Sequence, residues 1–344
     1  MKTFISISLL TIVMLISWIS TDTLNHSKNR VQDDEQTGLR DQIVIRFSHV
    51  VAENTPKGLA AQKFAQLVES ESNGKVKVEV YPNSILYSDG EEVDALVNGD
   101  IQMIAPTFSK MTEYAPKWKV LDLPFLFEND EHVERVFNGK IGKDLLQKLD
   151  HKNMLGLTFW SNGFKQMTSN ERPLLNPEDF QGLHFRVMPG TVIQRQFALL
   201  NAKTTAQPFN NVYRSLELHE LDGQENTISN IYSKGLYKVQ SHLTLSNHAY
   251  LGYAVIINKQ FWGKLTPTQQ NQINSALSET TKWIQEEAKK MNEQQFEEIQ
   301  QNSSLQLHTL NKEQQKAWKD RFAPLYQELK AEIGSTQIQS ILNE

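Results

Sequence analysis

Apolar and polar positions alternate with period two through "DQIVIRFSHV" (41–50), where Ile43, Ile45 and Phe47 share one face and Val44, Arg46 and Ser48 the other. That alternation predicts a strand with one buried side. Thr55 followed by Pro56 predicts a helix start, because a hydroxyl caps free N–H groups and proline suits the first turn. Leu59, Phe64, Leu67 and Val68 supply its apolar stripe, and Gly74 closes it. "KVKVEVYP" reads as the next strand, "SDGEEVDALVNGD" as a capped helix stopped by Gly99, and "IQMIAPT" as a third strand. Strands alternating with helices predict a parallel sheet covered by helices.

The alternation restarts at "MLGLTFWS" and continues through "LHFRV", a helix near 191–200 and another over "NNVYRSLELHEL" that ends before Gly223. Two successive α/β units predict two lobes. "LTLSNHAYLGYAVIIN" is too long and mixed for one simple strand, and reads as a segment crossing between lobes. Thr266-Pro267 opens a helix reaching about Gln301, roughly 50 Å long if unbroken. Its apolar positions include Ile273, Ala276, Leu277, Trp283, Ile284 and Ala288, and a helix of that length can back both lobes. A strand near "LQLHTL" and a helix from Asn311 complete the pattern.

The 344 residues, 39% of them hydrophobic, suit two domains rather than one small core. A net charge of −5 without a basic patch argues against a nucleic-acid partner. Lys2 precedes the apolar run Phe4–Ile19, so residues 1–20 are expected to be a signal peptide or an N-terminal membrane anchor, which places the chain outside the cytoplasmic membrane. Residues 21–40 are polar and read as a disordered spacer. The chain has no cysteine, which excludes disulfides, thiolate chemistry and a lipid-modified cysteine anchor.

The enzyme motifs searched for are missing. No Gly-x-Gly-x-x-Gly follows a strand, "NGKIGKDL" lacks the phosphate-loop spacing, and His219–Glu220 has no second histidine four residues on. No Gly-x-Ser-x-Gly elbow occurs, and the glutamates from Glu279 to Glu298 read as a solvated helix face. A binding protein without metal or cofactor is therefore expected rather than an enzyme. The informative residues are polar groups set among apolar ones. Arg186 lies inside a strand, as the partner of a ligand anion or of a nearby carboxylate. Lys165 lies between a strand and a polar turn, and Asn226 on a turn after Gly223. Phe209 suits a core or a ligand platform, while His49 and Lys57 flank a strand-to-helix loop where ligand crevices form.

At these residues the sequence resembles the solute-binding subunits of TRAP transporters, in the C4-dicarboxylate-binding (DctP-type) branch. The motifs are "FSHVVAENTPKG", "YPNSILYSDGEEVDALVNGDIQMIAPT", "NGFKQMTSNERP", "GLHFRVM" and "LDGQENTISNIYSKGLYKVQ", within a match from about Ile43 to Phe322. The resemblance implies a two-lobe, periplasmic-binding-protein-like α/β fold, a hinged trap with a long backing helix. Lobe 1 would comprise 41–162 plus 252–291, and lobe 2 would comprise 163–251 plus 292–338. Arg186 would clamp a substrate carboxylate through two parallel hydrogen bonds, with Asn226 beside it and Phe209 beneath. Lys165 stands where many members carry a second arginine, and His49, Lys57 and Thr107 would face the cleft from the first lobe. Arg186 is expected to meet mainly water until ligand arrives. The ligand implied is a dicarboxylate such as succinate, fumarate or malate. The partner implied is a TRAP permease, with a membrane sensor histidine kinase as the alternative reader of the closed form.

Overall fold

The computed structural model describes residues 42–150 and 152–344, so the expected signal or anchor (1–20) and spacer (21–40) lie outside the described residues. Residues Val44–Glu344 form one compact unit. The strands are β1 (Ile43–Ser48), β2 (Val76–Tyr81), β3 (Met103–Ile104), β4 (Met154–Ser169), β5 (His184–Val187), β6 (Lys203–Ala206), β7 (Gly223–Asn226), β8 (His242–Asn258) and β9 (Gln306–Thr309). The first half adds helices α1 (Pro56–Glu71), α2 (Glu92–Asn98), α3 (Phe108–Met111), α4 (Asp130–Asn138) and α5 (Lys140–Gln147). After β5 come α6 (Thr191–Leu199), α7 (Val212–Glu217) and α8 (Ile228–Ser233). After β8 come α9 (Lys259–Trp262), α10 (Pro267–Asn302), α11 (Lys312–Ile333) and α12 (Ser335–Leu342).

Among the described residues these strands make one sheet in the order β2-β1-β3-β8-β4-β7-β5-β6, with β9 also paired to β8. The β1/β3, β5/β6 and β5/β7 pairs are parallel, as expected where helices connect successive strands. The antiparallel β4/β8 pair lies between these two α/β halves. It runs from Met154 opposite Asn258 to Ser169 opposite His242, with register shifts at Gly156/Thr158, Ser161/Gly163 and Lys165/Met167. Bulges of this kind bend and twist a long ladder without ending it.

The ladder corrects two expectations. The turn signal "SNG" does not end the strand begun at Met154, so Lys165 lies within β4 rather than between a strand and a turn. The segment judged too long for one strand is the single strand β8. In both cases tertiary pairing overrides local turn preference, because each strand satisfies the other's backbone groups. Asn226 is corrected too. It ends β7, opposite Gln166 of β4, and all four β7 residues are buried. Gly223 marks a close approach rather than a turn, since a Cβ there would lie 2.3 Å from the Thr168 carbonyl oxygen and 2.6 Å from the Phe185 ring.

Helix α10 is unbroken for 36 residues, roughly 54 Å at 1.5 Å per residue. Thr266 and Gln269 cap it reciprocally. It packs on α1, β4 and α8, so it touches elements of both halves. At its contact with α1 the stripe is shifted from the expected one. Ala60, Ala61, Phe64 and Val68 are fully buried, while Leu59 and Leu67 are half-exposed beside them. Small side chains let two helices approach closely, and apolar periodicity alone does not weigh alanine enough. Trp283 also lies half-exposed, with the Lys63 ammonium 5.7 Å above its ring.

Among the described residues, apolar clusters pack on and into the crossing strands. Phe108, Trp118, Phe137 and Phe159 form the centre of one, which Leu325 and Leu329 of α11 join. Another gathers Phe209, Val212, Leu216, Leu236 and Ile299. Gly223→Ala would press a methyl group into β4 with no space to relax. Overpacking of this kind costs roughly 1–3 kcal/mol. A lower denaturant midpoint with an unchanged slope is the expected result in equilibrium unfolding.

Candidate functional site

β1, β3, β5 and β7 end near a common cavity, the place where parallel α/β sheets open a crevice. The cavity is tight, with a volume of about 30 Å³. Of the expected residues, Lys57, Thr107, Arg186, Phe209 and Asn226 line it. His49 and Lys165 are not among its lining residues. The wall also includes Asp89, Glu92, Lys110, Asn230 and Tyr253, which were not anticipated as ligand-facing.

Arg186 is held in β5 between Thr205 of β6 and Gln224 of β7. Only 1% of it is exposed. Its Nε and Nη2 donate to the Gln207 carbonyl at 3.1 and 3.0 Å, and its Cζ lies 5.7 Å from the Phe209 ring centre. Among the described residues, no carboxylate lies within ion-pair distance of this guanidinium. The expected carboxylate alternative is therefore not observed, and the side chain is buried rather than open to solvent, held in the cavity wall by a backbone carbonyl. Burial pulls its pKa down to about 10, opposed by the fields of Asp89 and Glu225, so it stays charged at neutral pH.

Lys57 enters from the first turn of α1. Its ammonium donates to the Ala105 carbonyl at 2.9 Å and lies 4.0 Å from the Tyr253 ring centre. Burial draws its pKa down to about 8, with Glu92 and Asp89 opposing. Asp89 Oδ2 accepts from the Phe209 backbone N–H at 3.3 Å, joining the loop before α2 to the residue under Arg186. Asn226 Oδ1 accepts from Asn230 Nδ2 at 2.7 Å and from the Thr227 N–H at 3.1 Å. That arrangement leaves the Asn226 amide nitrogen as the donor for the cavity.

Behind this wall lies a second set of buried charges. Lys165 Nζ meets Glu225 Oε1 at 2.6 Å, and His248 Nε2 meets Glu225 Oε2 at 2.7 Å. Burial alone would raise the Glu225 carboxyl, but Lys165 and His248 together hold it well below the usual carboxylate range. Asp122 is also buried and accepts from Ser109 Oγ at 2.6 Å, while its Oδ2 has no hydrogen-bond partner. Burial pushes its pKa up from 3.8 to about 7, against the lowering field of Lys165. His49 packs edge-on against Phe47, and burial with the neighbouring Lys57 charge takes its pKa down to about 3. It is neutral at physiological pH and lies behind the wall.

The profile of the bacterial extracellular solute-binding protein family 7 matches residues 47–332. The chain belongs to that family. It is 47% identical over 320 residues to the C4-dicarboxylate-binding protein DctB of Bacillus subtilis, covering 92% of this chain and 91% of that one. A TRAP periplasmic solute-binding protein of Sulfurospirillum deleyianum with bound succinate superposes with a TM-score of 0.85 at 39% identity, over 87% of this chain and 98% of that one. The corresponding protein of Pseudomonas aeruginosa with bound L-malate gives 0.81 at 35% identity, over 83% and 99%. Family 7 members are extracellular binding proteins rather than enzymes. No helix among the described residues is long and apolar enough to cross a membrane.

In this family 7 chain the Glu225 cluster generates two stability predictions. Glu225→Ala leaves Lys165 buried without its counter-charge, and breaking such a pair costs roughly 3–5 kcal/mol. Ligand-free urea unfolding should show a loss of that size. Asp122 has the opposite linkage, because its folded pKa lies above the unfolded value. Its contribution is fully present below about pH 3.8 and is lost as pH rises through about 7. Between pH 4 and 7, wild-type stability should therefore fall relative to Asp122→Asn in chemical unfolding at each pH.

Proposed function

We propose that the chain captures a C4-dicarboxylate, with succinate, fumarate and malate as the candidates, and presents it to a TRAP-type membrane permease. The observation that carries this reading is Arg186, a buried cation facing a cavity with a backbone carbonyl but no carboxylate as its partner. An incoming carboxylate supplies the missing counter-charge in the planar geometry a guanidinium prefers. The names of the similar proteins support the same ligand class.

In this reading Arg186 and Asn226 hold one carboxylate above Phe209, and Lys57 and Thr107 receive the other. Lys165 and His49 act from behind the wall, Lys165 by fixing Glu225 and His49 by filling space beside Lys57. Lobes of 41–162 plus 252–291 and 163–251 plus 292–338 would hinge through β4 and β8, whose register shifts provide places to bend. Ligand favours the closed arrangement because only there do both carboxylates meet their partners. Residues 1–20 would serve as a cleaved export signal or a tether to the outer face of the cytoplasmic membrane.

Succinate, fumarate or malate should raise the melting temperature by mass action on the native state, and acetate far less. Stabilisation by a sugar or sialic acid with no response to any C4 acid would refute the assignment. Arg186→Ala should weaken binding by about two to four decades, which corresponds to roughly 3–5 kcal/mol for a broken buried pair. Arg186→Lys should recover only part, since an ammonium cannot form the planar fork. Calorimetric titration measures both, and normal affinity in either variant would remove Arg186 from the site.

A further inference from the structure

Glu92 is the unexplained group in the cleft. It is the first residue of α2, is 1% exposed, and lines the cavity with Lys57 and Arg186. Its Oε2 is buried without a hydrogen-bond partner, and no lysine or arginine among the described residues pairs with it. A carboxylate in a pocket for dianions opposes the ligand, whereas a carboxylic acid donates a hydrogen bond to it.

We propose that Glu92 binds the ligand as a neutral acid, taking up one proton as the dicarboxylate enters and donating an O–H hydrogen bond to its second carboxylate. This rests on the dicarboxylate reading and deepens it, making capture proton-linked. The proton comes from solvent, and no covalent bond changes besides the O–H formed at Glu92. The groups facing Glu92 are Lys57 from α1, Asp89 from the preceding loop, Lys110 from α3 and Tyr253 from β8. Lys110 is itself paired with Glu113 at 3.2 Å. Burial raises the Glu92 pKa to about 7 before any ligand is present, with Lys57 and Lys110 lowering it and Asp89 raising it further. At pH 7 the free protein therefore holds Glu92 about half ionised, and a dianion shifts the balance toward the acid. Lys57, at about 8, is already mostly charged there and adds little proton uptake.

The test is calorimetric titration of succinate into the full chain at pH 7 in two buffers of different ionisation enthalpy. The dependence of observed heat on buffer should report uptake of about half a proton by the wild type, given a Glu92 pKa of about 7. Glu92→Gln keeps the shape and a donor but has no proton to gain, so its uptake should fall close to zero. From pH 6.5 to 8 the wild-type Kd should rise roughly fifteenfold and that of Glu92→Gln only about twofold, the twofold part in each being the onset of Lys57 deprotonation. Glu92→Gln should then bind more tightly than wild type at pH 8. Binding without proton uptake, or equal uptake in the variant, overturns the proposal while leaving dicarboxylate capture standing. No binding of any C4 acid overturns both.

Discussion

A guanidinium taken out of water must be compensated where it lies, and among the described residues Arg186 hydrogen-bonds to one backbone carbonyl. The strand neighbours of β5 fix its backbone on both sides, so the side chain cannot retreat from the cavity by moving the strand. Gln207, just beyond β6, supplies the carbonyl, and Phe209, two residues further, supplies the ring face. Asp89 then reaches Phe209 from the other half of the sheet. The arrangement around one cation thus links β5, the β6–α7 loop and the loop before α2. What it lacks among the described residues is a carboxylate, and under the proposed function that deficit is what selects an anionic ligand.

The β4/β8 ladder makes this arrangement possible. It places the carboxyl ends of β1 and β3 beside those of β5 and β7, although the two sets are separated widely in sequence. Lys165 of β4, Glu225 of β7 and His248 of β8 lock the ladder to β7 by a buried charge cluster immediately before Asn226. The cluster stays saturated internally, which keeps Lys165 from competing with Arg186 for the ligand. Position along the same strands therefore separates charges that hold the frame from charges that face the cavity.

Much of the fold was legible in the sequence because its signals are local. Period-two strands, the Thr55 and Thr266 caps and the long α10 repeat each follow from short-range chemistry. Arg186 was legible for the same reason, as a cation on an otherwise apolar strand. The errors arose where a partner distant in sequence decides the outcome. "SNGFK" carries turn signals until β8 pairs with it, and Gly223 reads as a turn until β4 fills the space above it. Glu92 was hidden by an ordinary helix start, where acidic residues are common for dipole reasons. Only its burial in the cavity wall, within the fields of Lys57 and Lys110, distinguishes it from Glu91, which stays exposed and bonds to Ser88.

The two ends of the cavity consequently differ in physical kind. At the Arg186 end the charge does not titrate near neutral pH, since its pKa remains about 10 even when buried. At the Lys57 end an ammonium near 8 and a carboxyl near 7 share one desolvated wall, and each shifts with the charge between them. A ligand with one carboxylate satisfies the permanent cation and leaves the titrating pair as it was. In the proposed reading a second carboxylate meets the Lys57 ammonium but also Glu92, which either takes up a proton or repels it. Discrimination between one and two carboxylates can therefore reside in this responsive end, while the rigid end sets orientation and most of the attraction. That division follows from burial acting unequally on guanidinium, ammonium and carboxyl groups, whose ordinary pKa values lie at very different distances from neutrality.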